Sequence, residues 1–142
     1  MFVEEVWTLP VYIQWKEDYS VGHDEIDKQH QQLIGIINDL FLAIKDGSEE
    51  KFLQEILVRM YEYTKLHFVY EEELLARISY PNIENHQSLH EWMVVKTKNM
   101  RHRLLDHEET AREILEMLKK WWIDHIRKTD MQYRPYLEGS AD

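Results

Sequence analysis

The sequence predicts an all-α protein folded as an antiparallel up-down-up-down four-helix bundle. Four long stretches carry apolar residues at alternating steps of three and four, which places them on one face of a helix. Short connections between these stretches favour antiparallel neighbours. Four glycines and three prolines in 142 residues favour long helices over many turns, and a 44% hydrophobic content suffices for the core of one domain over 1–142.

An N-terminal aromatic arm, residues 1–23, precedes the first predicted helix and has no clear helical period. Because aromatic side chains bury large areas, we expect the arm to lie against the body of the domain. The bundle and a short C-terminal segment then occupy 24–138, and we expect residues 139–142 to be frayed. The arm residues that suggest packing are Trp7, Pro10, Tyr12, Trp15 and Tyr19.

The first helix is predicted to begin at Asp24 as its N-cap, with Asp27 at the capping-box position. Asp46-Gly47-Ser48 supplies its end and the following turn. One histidine lies within its apolar stripe, where a single histidine is usually a satisfied core residue. The stripe consists of Ile26, His30, Leu33, Ile37, Leu40 and Ile44.

The second helix is predicted from about Glu49 to Ile78, before the Tyr80-Pro81 pair. Its stripe contains His67 and Glu71, one turn and roughly 6 Å apart along the axis. A buried carboxylate without a partner is costly, so this pair needs a cation or a hydrogen-bonding network. Taken alone, a structural His–Glu pair explains it equally well. The stripe consists of Phe52, Ile56, Met60, Tyr63, His67, Glu71, Leu74 and Ile78.

The third helix is predicted over 82–105 and contains two histidines on its inner face. His86 and His90 are one turn apart, a spacing that lets both imidazoles reach one metal ion. The stripe consists of Ile83, His86, His90, Met93, Thr97, Met100 and Leu104.

The fourth helix is predicted from about Thr110 and closes at Thr129-Asp130-Met131, before a short packing segment at 133–137. His125 and Asp130 are five residues apart, about 140° around a regular helix, so a straight helix cannot aim both at one centre. We therefore expect a local widening, such as an i→i+5 bulge, before Asp130. The inner side consists of Ile114, Leu115, Leu118, Trp122 and His125.

Every one of the four helices thus places histidine at a core position, and two carboxylates share that face. A core this polar needs a metal centre to satisfy its polar groups. Imidazole suits iron, copper, nickel and zinc, and seven side chains exceed the four ligands of a closed zinc site. They fit two ions bridged by Glu71 and Asp130. The candidate ligands are His30, His67, Glu71, His86, His90, His125 and Asp130.

Composition excludes several other classes of protein. A net charge of −10 argues against a nucleic-acid partner, and the absence of cysteine excludes disulfides and iron–sulfur clusters. The sequence shows neither a signal peptide nor an apolar stretch of transmembrane length. We therefore expect a cytoplasmic protein without membrane contact, in which His23, His102 and His107 are solvated.

Four motifs occur in one order along the chain, and together they resemble those of the bacterial hemerythrins over nearly the whole length. The first includes Trp15, Asp18-Tyr19-Ser20-Val21-Gly22 and Ile26-Asp27-Lys28-Gln29-His30, and the second is His67-Phe68-Val69-Tyr70-Glu71-Glu72 followed by Tyr80-Pro81. The others are His86-Gln87-Ser88-Leu89-His90 and His125-Ile126-Arg127-Lys128-Thr129-Asp130.

The resemblance implies two iron ions bridged by Glu71, Asp130 and a solvent oxygen. It also implies that three histidines (His86, His90 and His125) complete one iron while His30 and His67 bind the other. The second iron then keeps a position open for dioxygen, with azide or nitric oxide as alternative ligands. The implied function is reversible oxygen binding for storage, transport or delivery, without catalysis. The alternatives are a redox enzyme acting on nitric oxide, peroxide or iron, and a sensor read out through the arm.

Three positions depart from the family's pattern. Ser79 stands where glycine usually precedes Tyr-Pro, and Leu75 stands where methionine is common; we expect both to be changes in packing. Trp122 stands three residues before His125, where the family usually has an aliphatic residue. Its indole either fills the core or walls the open position on the iron held by His30 and His67.

Overall fold

A computed structural model describes residues 12–138 of the chain. All the regular structure in this range is helical, so the predicted four-helix bundle is confirmed. A 3₁₀ turn precedes the bundle, and a π-helical segment with a second 3₁₀ turn follows its last long helix. The long helices are α1 (Asp24–Lys45), α2 (Glu50–Arg77), α3 (Ile83–Leu105) and α4 (Ala111–Asp124), and a short α5 (Arg134–Glu138) ends the described chain.

The start of α1 corrects one prediction, because its N-cap is His23 and not Asp24. The His23 Nδ1 atom accepts a hydrogen bond from the Ile26 amide at 3.3 Å, and His23 is half-buried rather than solvated. Asp27 does not complete a capping box. Its carboxylate accepts hydrogen bonds from the Val21 amide at 2.9 Å and from the Ser20 hydroxyl, and so fastens the arm to α1.

The connection after α2 corrects a second prediction, which treated Ser79 as a change in packing. Ser79 has a φ of 55°, in the left-handed region that favours glycine. The Tyr80 amide then donates to the Leu75 carbonyl at 3.0 Å, closing the helix end in a Schellman-type turn. The replacement of glycine by Ser79 therefore affects the backbone conformation of this turn. Tyr80 and Leu75 are both buried, so the turn also closes one end of the core.

The buried face of α2 differs from the predicted stripe at its start. Phe52 is 49% exposed, whereas Leu53, Leu57 and Phe68 are buried. Because α2 packs against both α1 and α3, its buried surface is wider than a single stripe and is shifted by one residue at the N-terminal end.

Two apolar clusters divide the core, and the polar residues of the predicted site lie between them along the chain. The larger cluster takes side chains from all four long helices, including Leu33, Met60, Met93, Leu118 and Trp122. The smaller one consists of Val21, Ile26, Leu74, Leu75, Tyr80 and Tyr133. This arrangement keeps both ends of the polar centre away from water.

The described part of the arm lies against the bundle, as predicted. Tyr12 stacks on Phe41 of α1 with ring centroids 5.1 Å apart. The Ile13 backbone both donates to and accepts from the Asn38 side chain, each at 2.8 Å. Trp7 and Pro10 lie outside the described residues. Within 12–138, no helix combines the length and the apolar character needed to cross a lipid bilayer.

Candidate metal centre

All seven predicted site residues converge in the interior of the bundle. Each is at most 3% exposed, although all are polar or ionisable. His30 comes from α1, the next two residues from α2 and two more from α3. The last two come from the π-helical segment and the 3₁₀ turn that follow α4. These seven are His30, His67, Glu71, His86, His90, His125 and Asp130.

The seven residues form two groups that share both carboxylates. Within each group, one nitrogen or oxygen from every member lies within 4.8 Å of the others. The first group consists of Glu71, His86, His90, His125 and Asp130, and the second consists of His30, His67, Glu71 and Asp130. This is the division that the resemblance implies, and the role of these residues as ligands stays a prediction.

An irregular turn of helix brings Asp130 into the centre. Residues His125–Thr129 form a π-helical segment, in which the Asp130 amide donates to the His125 carbonyl five residues earlier. The wider turn absorbs the misalignment of the two side chains, and His125 Nε2 lies 3.1 Å from Asp130 Oδ1. The predicted i→i+5 bulge is therefore present, and π-bulges of this kind occur frequently at functional sites.

The imidazole nitrogens point at the carboxylates and at each other. In the first group, Glu71 Oε1 lies 2.8 Å from His86 Nε2 and 3.0 Å from His90 Nε2. His90 Nε2 also lies 3.2 Å from His125 Nε2, which brings two lone pairs together unless a proton or a cation lies between them. In the second group, His30 Nε2 lies 3.0 Å from Asp130 Oδ2.

Unpartnered atoms in the core show that this donor set fits metal ions. Among residues 12–138, eight buried side-chain nitrogen and oxygen atoms have no partner in hydrogen-bonding geometry, and six of them belong to the site. Buried polar atoms are normally satisfied, and leaving one unmet costs about 1–3 kcal/mol. Imidazole nitrogens and carboxylate oxygens are ligands for iron and similar metals. Four of the six face the centre, namely His30 Nε2, His67 Nε2, Asp130 Oδ1 and Asp130 Oδ2. The other two, His30 Nδ1 and His125 Nδ1, are the second nitrogens of rings whose Nε2 faces it.

A second layer of hydrogen bonds orients the site. The His67 Nδ1–H group donates to Gln29 Oε1 at 2.7 Å, which leaves the His67 Nε2 lone pair facing the centre. His90 Nδ1–H donates in the same way to Glu72 Oε2 at 2.7 Å. Such outer partners fix the tautomer and ring orientation of metal-binding histidines.

Tyr133 completes this layer from beyond the bulge. Its hydroxyl donates to Glu71 Oε2 at 2.9 Å, and its side chain is fully buried. Burial, together with the negative charge of Glu71, raises the pKa of Tyr133 well above its usual value. Tyr133 is therefore a neutral donor that holds one of the shared carboxylates in place.

Sequence reasoning missed all three of these outer partners. Gln29 adjoins His30 and Glu72 adjoins Glu71, and both stand in the motifs quoted above, but polar residues beside a helix stripe usually face solvent, so neither was assigned a role. For Tyr133 the only signal was its place in the predicted packing segment, which does not reveal a hydrogen bond.

The electrostatics of the metal-free site keep both carboxylates ionised. Burial raises the pKa of Glu71 and of Asp130, but the surrounding histidines lower both by more, so each ends below its usual value. Burial lowers the pKa of His67 to about 3 despite the opposing charge of Glu71, so this imidazole is neutral. Burial also disfavours the charged form of His86, but Asp130 and Glu71 outweigh it and raise the His86 pKa to about 10.

Aromatic side chains cover the side of the site that faces the larger apolar cluster. Phe68 stacks on the His90 ring with centroids 3.6 Å apart. The Trp122 ring lies 6.0 Å from His67 and 5.8 Å from His125, and so adjoins both groups. Trp122 is also part of the core, and a role as pocket wall stays a prediction. His102 and His107 are exposed and lie outside both groups, as predicted.

Comparison with known proteins agrees with this geometry. Residues 21–137 match the family model described as the hemerythrin HHE cation binding domain. A bacteriohemerythrin of Stenotrophomonas maltophilia is 32% identical over 84% of this chain and 77% of its own length. A myohemerythrin of Theromyzon tessulatum is 28% identical over 91% of this chain and 97% of its own length.

Solved structures agree in fold. The crystal structure of a wild-type hemerythrin superimposes with a TM-score of 0.80 at 21% identity, covering 89% of this chain and 98% of that one. A family model that spans most of the chain, and a relative at 32% identity over most of it, identify the family independently of that fold similarity. The chain belongs to the hemerythrin family.

Proposed function

We propose that this protein holds two iron ions and binds dioxygen reversibly, for storage, transport or delivery. One observation carries the proposal: two buried groups share both carboxylates, and one group has four members where the other has five. If each group holds one ion, the ion with fewer protein ligands keeps room for a small exogenous ligand. Membership of the hemerythrin family supports iron as the metal.

In this proposal His86, His90 and His125 complete one ion, and His30 and His67 hold the other. Glu71 and Asp130 belong to both groups and would be shared by the two ions. Five neutral imidazoles and two carboxylates form a donor set with little negative charge, which supports ligand binding over the formation of high-valent iron. The bound iron supplies the electrons and the coordination position that dioxygen needs.

The protein around the site supports reversible binding over turnover. Phe68 and Trp122 are both buried and cover the centre toward the larger apolar cluster. By excluding water, these side chains would limit proton delivery to the centre, which favours reversible binding over reduction of the ligand. We assign no catalytic residue to this chain.

The test is a cycle of oxygen binding and removal. The protein is loaded with two equivalents of ferrous iron without oxygen, exposed to oxygen, and then purged, while its visible spectrum is recorded. We expect a ligand-to-iron absorption band that appears with oxygen, disappears on purging and survives several cycles. The His90→Ala variant, which lacks one candidate ligand, is the matched control and should not develop the same band.

Rapid bleaching of the parent protein to oxidised iron after one exposure would contradict oxygen carriage and would favour redox chemistry. Failure of the parent protein to take up iron would refute the di-iron proposal itself.

A further inference from the structure

Two unpartnered buried atoms lie outside the seven site residues. Among residues 12–138, the only such side-chain atoms beyond the site are the Trp122 indole Nε1 and the Thr64 hydroxyl oxygen. Native cores satisfy nearly all of their buried polar groups, so each exception calls for a partner. Trp122 adjoins the candidate metal centre, and Thr64 lies one helical turn before His67.

The Trp122 indole has no internal use for its N–H group. The residue is 1% exposed, so bulk water does not reach it. Phe68 stacks on the indole at 29°, and therefore covers a face of the ring, whereas the N–H group lies at its edge. Indole nitrogen is a donor only, so it needs an acceptor. An aliphatic residue would fill this part of the core without burying an unmet donor.

Thr64 shows the same anomaly on another helix. A threonine inside a helix can donate to a carbonyl one turn earlier, and Thr97 does so to Met93 at 2.7 Å. The Thr64 hydroxyl makes no such bond, although its side chain is fully buried. It therefore remains free to meet a group in the interior of the bundle.

The positions of the two residues put them at one level of the bundle. Thr64 precedes His67 by three residues, and Trp122 precedes His125 by three. Alternate helices of an antiparallel bundle run in the same direction, so both residues lie one turn before the metal centre. Centroid to centroid, the indole is 6.0 Å from the His67 ring of the four-membered group and 5.8 Å from the His125 ring of the other, so it adjoins both. Of the two groups, the four-membered one has room for an exogenous ligand.

We propose that the Trp122 N–H group donates a hydrogen bond to the exogenous ligand of the ion held by His30 and His67, and that the Thr64 hydroxyl lines the same pocket. The pocket then selects small ligands whose outer atom accepts a hydrogen bond, such as azide and other small anions. This inference rests on the proposed di-iron function and adds a source of ligand selectivity to it.

The test compares azide binding to the oxidised, iron-loaded parent protein and to Trp122→Phe. Phenylalanine keeps an aromatic ring against Phe68 and removes only the donor and some volume. Because a hydrogen bond to a charged group stabilises strongly, we expect the azide dissociation constant to rise by about 10- to 100-fold. Thr64→Val should also raise it, since valine keeps the shape and removes the hydroxyl. Trp121→Phe is the control and should match the parent, because Trp121 packs outward against Trp92.

A second readout reports the hydrogen bond itself. The infrared stretching band of bound azide shifts when a donor to its outer atom is lost, so we expect the band to differ between the parent and Trp122→Phe. An unchanged band and an unchanged dissociation constant, in a variant that still holds two irons, would overturn the donor role while leaving the proposed function intact. Absence of iron from the parent would instead refute the proposed function.

If Trp122→Phe does not fold, ultraviolet resonance Raman spectra of the parent protein with and without azide decide the question. A strengthened hydrogen bond at one indole on adding azide supports the proposal. Identical indole bands overturn it.

Discussion

Removal of the metal should lower the melting temperature of this protein by more than about 10 °C. Four unpartnered buried atoms face the centre, where metal would meet them: His30 Nε2, His67 Nε2, Asp130 Oδ1 and Asp130 Oδ2. At the low end of the usual cost, about 1 kcal/mol for each unmet group, the metal-free core loses about 4 kcal/mol. An unfolding entropy of roughly 2.1 cal/mol/K per residue makes each kcal/mol worth about 3–4 °C in a chain of this length. The expected drop is therefore about 12–16 °C.

Calorimetry of the iron-loaded and chelator-treated protein at one pH measures this drop. Circular dichroism should show that the metal-free protein keeps much of its helix, because the two apolar clusters persist, while its near-ultraviolet signal weakens. His102→Ala is the control, since His102 is exposed and should leave the loaded protein's melting temperature unchanged. Equal melting temperatures with and without iron would refute the view that metal satisfies these buried atoms.

Four further predictions concern single sites. His90→Ala should hold fewer than two irons per chain by elemental analysis, with affinity reduced at least roughly 10- to 100-fold, whereas His102→Ala should hold both. Tyr133→Phe removes the hydrogen bond to Glu71 and should weaken iron binding by about 10- to 100-fold in iron titrations. Tyr136 is exposed, so Tyr136→Phe is the control and should bind iron like the parent. Because the His86 pKa is about 10 without metal, iron must displace the proton on His86, and iron uptake should release protons. The apparent affinity for iron should therefore rise with pH, by up to about tenfold per pH unit between pH 7 and 10. A pH-independent affinity would contradict this. Trp122→Ala should accelerate azide binding and loss of the oxygenated form in stopped-flow traces, whereas the control Trp121→Ala should not. If both variants show the same rates, Trp122 serves only to fill the core.

The sequence predicted the bundle and the cluster because both depend on local periodicity. Apolar residues at steps of three and four define a buried face, and His30, His67 and His90 were noticed because they interrupt that face. The bulge before Asp130 followed from the angle between positions five residues apart. Each of these inferences needs only the geometry of one helix.

The errors and omissions arose where two helices, or a helix and a loop, meet. The side chain of Gln29 reaches His67 across the α1–α2 interface, and no pattern within one helix predicts that contact. His23 caps α1 by accepting from the Ile26 amide, and the Asp27 carboxylate binds the arm instead of completing a capping box. Tyr133 follows a π-helical segment and a 3₁₀ turn, where the orientation of side chains no longer follows a simple period.

The central claim is that two metal ions share Glu71 and Asp130. Crystals of the iron-loaded protein, measured at the iron absorption edge, test it most directly through the anomalous difference map. We expect two peaks, one among His86, His90 and His125 and the other between His30 and His67, with both carboxylates in contact with both peaks. A single peak, or two peaks that do not share Glu71 and Asp130, would contradict the claim.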